Sequence, residues 1–323
     1  MQRGSGLPLT DSKSFGGKVR RWGKCGQLGG HCVSRSTILA HIEEQDDGTA
    51  TGIWEPYVLR SAFQPIFALG HGKLKVTAYE GLIRPFKDEQ SVSPQDFFLA
   101  IPAAERLNVE TLTRTLHVLN AGRFLDPEKM LFVNFDPSVF HARQIADMTL
   151  HEMRVTLNEA GIDPRRVVCE VTEQKSSSQQ ALAIFVETLR SSGFQVAIDD
   201  FGAEASDMER VEALRPNIVK FDARWISRLM ETKPGFALLS VMVEEFVSKG
   251  ITVIFEGIEE NWQLEAAEAA GAHMVQGFLL ARPEVVPGSF GAGASAGATS
   301  SAGAAPAAFA RYPHPTFGRR KSS

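Results

Sequence analysis

The sequence predicts an α/β protein in which helices cover a parallel sheet. Predicted strands and helices alternate over most of the 323-residue chain, as they do when helical crossovers connect parallel strands. The strands are continuous apolar runs, as expected when both faces of a sheet are covered. No Gly-rich phosphate loop follows the first strand, which weakens the case for a dinucleotide-binding fold. Either a closed barrel or an open doubly wound sheet fits these observations.

Apolar runs and the glycines after them set the predicted elements. The predicted strands run from Val58 to Leu69 with a break at Pro65, and then over 73–82, 130–135, 167–172, 195–198, 218–221, 252–255 and 273–275. The predicted helices cover 36–44, 94–106, 109–124, 145–160, 178–191, 207–214, 236–248 and 262–270. The dipeptide between the first two strands, His71-Gly72, follows Gly70 and indicates a hairpin.

Two segments of low complexity flank the predicted domain. Residues 1–35 are basic and rich in Gly and Ser, and residues 287–323 are rich in Gly, Ala, Ser and Pro. Neither segment has enough apolar residues to form a core, so we expect both to be disordered tails. The folded domain is therefore expected to cover residues 36–286.

Composition narrows the class of protein. The formal net charge is -4, which argues against a nucleic-acid polymer as partner. Three cysteines, Cys25, Cys32 and Cys169, form an odd and sparse set, typical of a reducing compartment and of a cytoplasmic protein. No apolar run is long enough to span a bilayer, and the first residues lack the apolar core of a secretory signal.

Polar side chains lie at or just beyond the ends of most predicted strands. They are Glu80, Asn134, Glu170, Asp199, Asp200, Lys220, Glu256 and Gln276. A single strand-end acid commonly caps a helix, but the strands of a barrel bring their carboxyl ends to one rim. Several carboxylates at one rim repel each other unless a cation lies between them. Oxygen ligands without His or Cys favour one or two Mg²⁺ or Mn²⁺ ions, which commonly bind phosphates.

Eight short motifs resemble the EAL-domain family of cyclic di-GMP phosphodiesterases. The first is Tyr79-Glu80-Gly81-Leu82-Ile83-Arg84, where the family usually has alanine in place of Gly81. The others occur in the same order along the chain as in the family, and they contain Gln64, Asn134, Glu170, Asp199, Lys220, Glu256 and Gln276. The resemblance extends from about Val58 to Pro283. It implies a modified (β/α)8 TIM-type barrel in which one early strand runs antiparallel.

The resemblance also implies an activity and a role for each site residue. The implied reaction is the metal-assisted hydrolysis of cyclic di-GMP to linear pGpG. The implied metal ligands are Glu80, Asn134, Glu170, Asp199 and Asp200. Lys220, Glu256 and Gln276 are expected around the attacking water, Gln64 and Arg84 against the substrate, and Glu173 and Glu259 as supports. A homodimer or a separate regulatory protein is a possible partner.

One departure from the family leaves a second hypothesis open. The loop after Asp200 reads Ala203-Glu204-Ala205-Ser206-Asp207, and Glu204 stands where the family usually has glycine. The extra acids are expected to distort the loop or to weaken the binding of a second ion. The alternative is therefore a weak or inactive domain that binds cyclic di-GMP or another protein.

Overall fold

A computed structural model describes residues 20–21, 35–70, 73–136, 143–172, 179–203 and 208–293. Its strands are β1 (Arg20–Arg21), β2 (Ile42–Glu44), β3 (Ala50–Trp54), β4 (Tyr57–Gly70), β5 (Lys73–Lys87), β6 (Gln90–Ser91), β7 (Met130–Phe135), β8 (Val167–Thr172), β9 (Gln195–Phe201), β10 (Ile218–Phe221), β11 (Thr252–Phe255), β12 (Met274–Val275) and β13 (Glu284–Val285). Its helices are α1 (Arg35–Leu39), α2 (Pro94–Ala100), α3 (Arg106–Phe124), α4 (Arg143–Ala160), α5 (Gln179–Ser191), α6 (Met208–Leu214), α7 (Ala223–Met230), α8 (Lys233–Ser248) and α9 (Asn261–Ala270).

Eight strands close into a barrel, in the order β4, β5, β7, β8, β9, β10, β11, β12 and back to β4. β4 is antiparallel to both of its neighbours in the ring, and the other neighbours are parallel. The structure therefore confirms an α/β fold, a TIM-type barrel with one antiparallel strand. The predicted hairpin joins β4 to β5, with Gly70 opposite Lys73, and its tip at 71–72 lies outside the described residues.

Alternate residues of the barrel strands form an apolar layer across the interior. This layer consists of Ile66, Ala78, Phe132, Val168, Ala197, Ile218 and Ile254. The intervening residues, such as Val196 and Val219, belong to the larger core between the barrel and the helices. Because side chains alternate along a strand, the residues two positions beyond the interior layer again face inward. This periodicity positions the candidate site.

The segment before the barrel differs from the prediction. A helix was expected over 36–44, but α1 ends at Leu39 and Ile42–Glu44 is a strand paired with β3. β3 pairs in turn with β4, so this hairpin extends the sheet outward from the barrel. Ile38, Ile42 and Leu59 belong to a second core cluster, and burial of these side chains against α3 outweighs the local preference for helix.

Prolines account for two further corrections. β4 is continuous through Pro65, which was expected to break it. On the edge that does not face β5, β4 pairs with β13 at Phe63 and with β12 at Phe67. Residues 64–66 have no strand partner on that edge, so a proline without an amide hydrogen is tolerated there. The helix expected over 94–106 instead ends at Ala100, because Pro102 cannot donate the hydrogen bond that would continue it.

Ordered structure extends beyond the predicted domain boundary at residue 286. The chain continues into a 3-10 helix, Gly288–Gly293, whose Phe290 contacts the ring of Phe63 at 6.2 Å and that of Tyr79 at 5.7 Å. These aromatic contacts hold a segment whose composition predicted disorder. Most of the two predicted tails lies outside the described residues.

Candidate active site

The candidate site is the inward-facing layer directly above the apolar interior of the barrel. Its residues each lie two positions from a member of that interior layer, or from its partly buried neighbour Met274. They are Gln64, Glu80, Asn134, Glu170, Asp199, Lys220, Glu256 and Gln276. On the parallel strands, this layer is at the carboxyl ends, the rim at which TIM-barrel enzymes bind their substrates.

A β-bulge explains how two consecutive acids reach the same site. Ile198 pairs with Val219 and Phe201 pairs with Phe221, so Asp199 and Asp200 together lie opposite the single residue Lys220. The backbone of Asp200 has a φ of 57°, in the left-handed region. A bulge of this kind breaks the alternation of side chains along the strand. Oxygens of both carboxylates consequently lie within 4.8 Å of each other and of a Glu256 oxygen.

Lys220 is at the centre of the site, and its side chain is 1% exposed. Its Nζ lies 2.6 Å from Glu170 Oε1, 3.1 Å from Asp199 Oδ1 and 2.5 Å from Glu256 Oε1. Glu80 Oε2 is more distant, at 3.7 Å, and accepts a 2.8 Å hydrogen bond from Gln276 Nε2. One ammonium therefore faces four carboxylates, and Asp200 adds a fifth acid beside them.

The pKa values reflect this excess of negative charge. Burial alone would lower the pKa of Lys220, but the surrounding carboxylates raise it well above its usual value, so the side chain stays charged. Burial raises the pKa of Glu170 well above its usual value and that of Glu256 to about 8. Burial and the neighbouring Asp199 raise the pKa of Asp200 to about 6. Without a further cation, the raised pKa values mean that Glu170, Glu256 and Asp200 hold protons more tightly than free carboxyl groups do.

The oxygen atoms at the rim fit a divalent cation. Among the described residues, Glu170 Oε2 and Gln276 Oε1 are buried without a hydrogen-bond partner. Unpartnered buried oxygens are costly, and a bound ion removes that cost. Asp199, Asp200 and Glu256 form a group with metal-ligand spacing. Hard oxygen donors of this kind are the ligands that Mg²⁺ and Mn²⁺ prefer.

Two of the remaining predicted residues lie at the edge of this cluster. Asn134 is exposed at the end of β7 and pairs in register with Glu170 of β8. Gln64 lies opposite Glu80 in the β4–β5 register, is 8% exposed, and donates a 3.1 Å hydrogen bond to the carbonyl of Ala281. The strand pairing therefore brings both amides next to the acids.

Of the other three predicted residues, the structure describes Arg84 and Glu259. Arg84 is half-buried further along β5, where its Nη1 donates to the carbonyl of Ile83 at 2.9 Å. Burial lowers the pKa of Arg84, and nearby Glu80 opposes that shift. Glu259 is exposed just before α9, and its amide donates to Gln263 Oε1. Glu173 lies outside the described residues, as does the altered loop from Glu204 to Asp207.

Gly202 and Trp225, for which no role was predicted from the sequence, shape the turn after Asp200. Gly202 has a φ of 98°, and a Cβ at this position would lie 2.3 Å from the ring of Trp225. Trp225 lies in α7, which was not predicted, and the Asp222 side chain caps that helix by accepting from the Trp225 amide at 2.8 Å. An Asp before a short amphipathic segment is an N-cap signal that identifies such a helix.

Comparison with known proteins confirms the predicted family and the fold. The family model for the EAL domain matches residues 58–283, well over half of the chain. The EAL-domain-containing protein YkuI of Bacillus subtilis is 27% identical over 228 residues, which are 68% of this chain and 54% of that protein. The cyclic di-GMP phosphodiesterase PdeL of Escherichia coli is 24% identical over 265 residues, 80% of this chain and 67% of that protein.

Solved structures of related proteins have a similar fold. BlrP1 of Klebsiella pneumoniae, in complex with manganese and cyclic di-GMP, superimposes with a TM-score of 0.63 at 27% identity, covering 72% of this chain and 56% of that one. YkuI with cyclic di-GMP and calcium gives a TM-score of 0.61 at 25% identity, covering 70% and 55%. The chain thus spans about half the length of these relatives. In the described part of the chain, no helix is long and apolar enough to cross a membrane.

Proposed function

The chain belongs to the EAL-domain family, and on that premise we propose that it hydrolyses cyclic di-GMP to linear pGpG. The observation that carries the proposal is the buried rim cluster, in which Lys220 contacts Glu170, Asp199 and Glu256 at 3.1 Å or less. So many acids around one ammonium are stable when divalent cations share the site. Relatives with this domain have been solved with cyclic di-GMP and manganese or calcium.

The metal ligands in this proposal are the acids and amides of the rim. Glu80, Asn134, Glu170 and Asp199 would hold a first Mg²⁺ or Mn²⁺ ion, and Asp199 and Asp200 would hold a second. The convergence of Asp199, Asp200 and Glu256 oxygens within 4.8 Å supports a second position. When bound, such ions polarise a phosphoryl oxygen and lower the pKa of a coordinated water.

The remaining residues position the substrate and the attacking water. Lys220 keeps a fixed positive charge at the base of the site, where negative charge develops as water attacks phosphorus. Glu256 and Gln276 orient that water and accept or donate its hydrogen bonds. Water adds across one phosphodiester bond of the ring, the phosphorus–oxygen bond to the leaving sugar breaks, and the leaving oxygen takes up a proton.

The antiparallel strands β4 and β5 contribute the substrate contacts. Arg84 binds a phosphate of the substrate through its planar guanidinium, and its half-buried position strengthens that contact because water screens it less. Gln64 contacts a guanine, which requires its amide to exchange the hydrogen bond to Ala281 for one to the base. Glu173 and Glu259 support the ligands from outside. The sparse cysteines favour a cytoplasmic setting, and a homodimer or a regulatory protein would provide control.

The test is release of linear pGpG from cyclic di-GMP by the purified full-length chain with Mg²⁺ or Mn²⁺. We expect turnover that EDTA removes and that Glu80→Ala abolishes. Glu245→Ala, which alters an exposed acid paired with Lys249 on α8, serves as the matched control and should retain full activity. Tight binding of cyclic di-GMP without product under either metal would contradict the proposal and assign the alternative, a binding module.

A further inference from the structure

Gly81 follows Glu80 on β5 and faces the opposite side of the strand. Glu80 belongs to the rim layer inside the barrel, so Gly81 faces the helix α3 on the outside. A Cβ added at Gly81 would lie 2.9 Å from Cγ of His117, 3.1 Å from its Cβ and 3.2 Å from its Cδ2. Contacts this short require the imidazole or the strand to move. His117 therefore occupies the space that the side chain of an alanine at position 81 would need.

A buried chain of polar contacts holds His117 in this place. Its Nδ1 lies 3.0 Å from Ser61 Oγ on β4, and Ser61 also accepts a 3.0 Å hydrogen bond from Asn120 Nδ2. Asn120 Nδ2 also donates a 2.9 Å hydrogen bond to the carbonyl of Ala50 on β3, and Asn120 Oδ1 accepts a 2.8 Å hydrogen bond from the amide of Ala50. His117, Ser61 and Asn120 are each 4% exposed or less.

The imidazole stays neutral within this chain. Burial, together with the positive charges of Arg84 and Arg114, lowers the pKa of His117 to about 3. A neutral ring bears no charge that would need a counterion, so it acts as a rigid spacer between α3 and β5. Buried polar networks of this kind favour one packing arrangement.

We propose that His117 is a positioning residue for Glu80, and that Gly81 is small because it makes room for this histidine. This inference rests on the proposed function. It also links the outer hairpin β2–β3, which precedes the family-matched segment 58–283, to the strand that carries a metal ligand. The contact acts through the β5 backbone on Glu80 Oε2, which accepts from Gln276 at 2.8 Å.

The test measures Mn²⁺ affinity by calorimetry in the folded full-length chain, alongside thermal unfolding and kcat and KM for cyclic di-GMP. Gly81→Ala is expected to weaken Mn²⁺ binding about tenfold, as is typical when a support of a metal ligand is disturbed. His117→Ala alone should also weaken Mn²⁺ binding, because it removes the support for β5. In the double variant the added methyl group no longer meets the ring, so the loss should be smaller than the sum of the two single losses. That difference measures a direct coupling between the two positions.

Two controls separate positioning from general destabilisation. Gly70→Ala alters the other end of the same hairpin, where an added Cβ meets nothing within 4 Å, and should leave Mn²⁺ affinity unchanged. Leu112→Ala removes a fully buried side chain of α3, so it should lower the melting temperature and keep the affinity of the folded protein. Ser61→Ala only removes atoms, and it should weaken Mn²⁺ binding even if Gly81→Ala does not fold.

The outcomes distinguish this inference from the proposed function. If Gly81→Ala and Ser61→Ala both bind Mn²⁺ as tightly as the wild type does, the positioning role is wrong, while the proposed function stands. If the loss in the double variant equals the sum of the two single losses, the two residues are not a matched pair. If the wild type binds no Mn²⁺ at all, it is the proposed function that fails.

Discussion

Replacing Lys220 with methionine tests the electrostatic reasoning behind the site most directly. Methionine nearly preserves the length of the side chain but removes the ammonium, whose Nζ lies 2.6 Å from Glu170 and 2.5 Å from Glu256. Removing one partner of a buried ion pair leaves the other charge uncompensated and costs about 3–5 kcal/mol. In a domain of this size, each kcal/mol shifts the melting temperature by about 2–4 °C, so we expect a decrease of roughly 6–20 °C in EDTA.

Divalent cations should reduce this loss. Mn²⁺ supplies the positive charge that Lys220→Met removes, so the difference in melting temperature between variant and wild type should shrink when Mn²⁺ is added. Hydrolysis of cyclic di-GMP should still be lost, because the ion does not replace the fixed charge beside the attacking water. The assay is thermal unfolding in EDTA and in saturating Mn²⁺, with product release measured in parallel.

Lys249→Met is the matched control for this experiment. Lys249 also lies between two acids, Glu212 at 2.5 Å and Glu245 at 3.0 Å, but on the surface. Exposed pairs contribute about 0–1 kcal/mol, so this variant should unfold within a few degrees of the wild type. The reasoning is refuted if Lys220→Met costs no more than Lys249→Met, or if Mn²⁺ leaves the loss unchanged.

Four further predictions concern the rim and the turn that follows it. Because the pKa of Glu256 is raised to about 8 from 4.5, the folded metal-free protein binds more protons than the unfolded chain, so its stability should fall as the pH rises from about 4.5 to 8 in denaturant titrations. Mn²⁺ affinity should rise over pH 6 to 8, since protons on Asp200 and Glu256 compete with the ion; a flat calorimetric profile would contradict this. Asp200→Asn should bind one Mn²⁺ ion fewer in calorimetry with an intact fold, and unchanged stoichiometry would argue against a second position. Gly202→Ala should lower stability by about 1–3 kcal/mol, since its Cβ would overlap Trp225 at a φ of 98°.

Much of the barrel could be predicted from local sequence alone. The bounds of four strands, β7, β8, β10 and β11, agree with the prediction residue for residue. These strands are short apolar runs buried on both faces. Lys220 and Glu170 interrupt such runs at the inward-facing position that lies at the rim. The positions of the acids, amides and lysine at the strand ends are therefore enough to predict the rim cluster.

The sequence by itself determined the alternation of strands and helices and the chemistry of the strand ends, because both depend on periodicities of a few residues. Only the tertiary structure decided which groups touch. The bulge that turns Asp199 and Asp200 toward one site depends on the register between β9 and β10. The contact between Gly81 and His117 joins a strand to a helix 36 positions later in the chain. Such contacts depend on how segments that are distant in sequence pack together, and local residue patterns do not determine that packing.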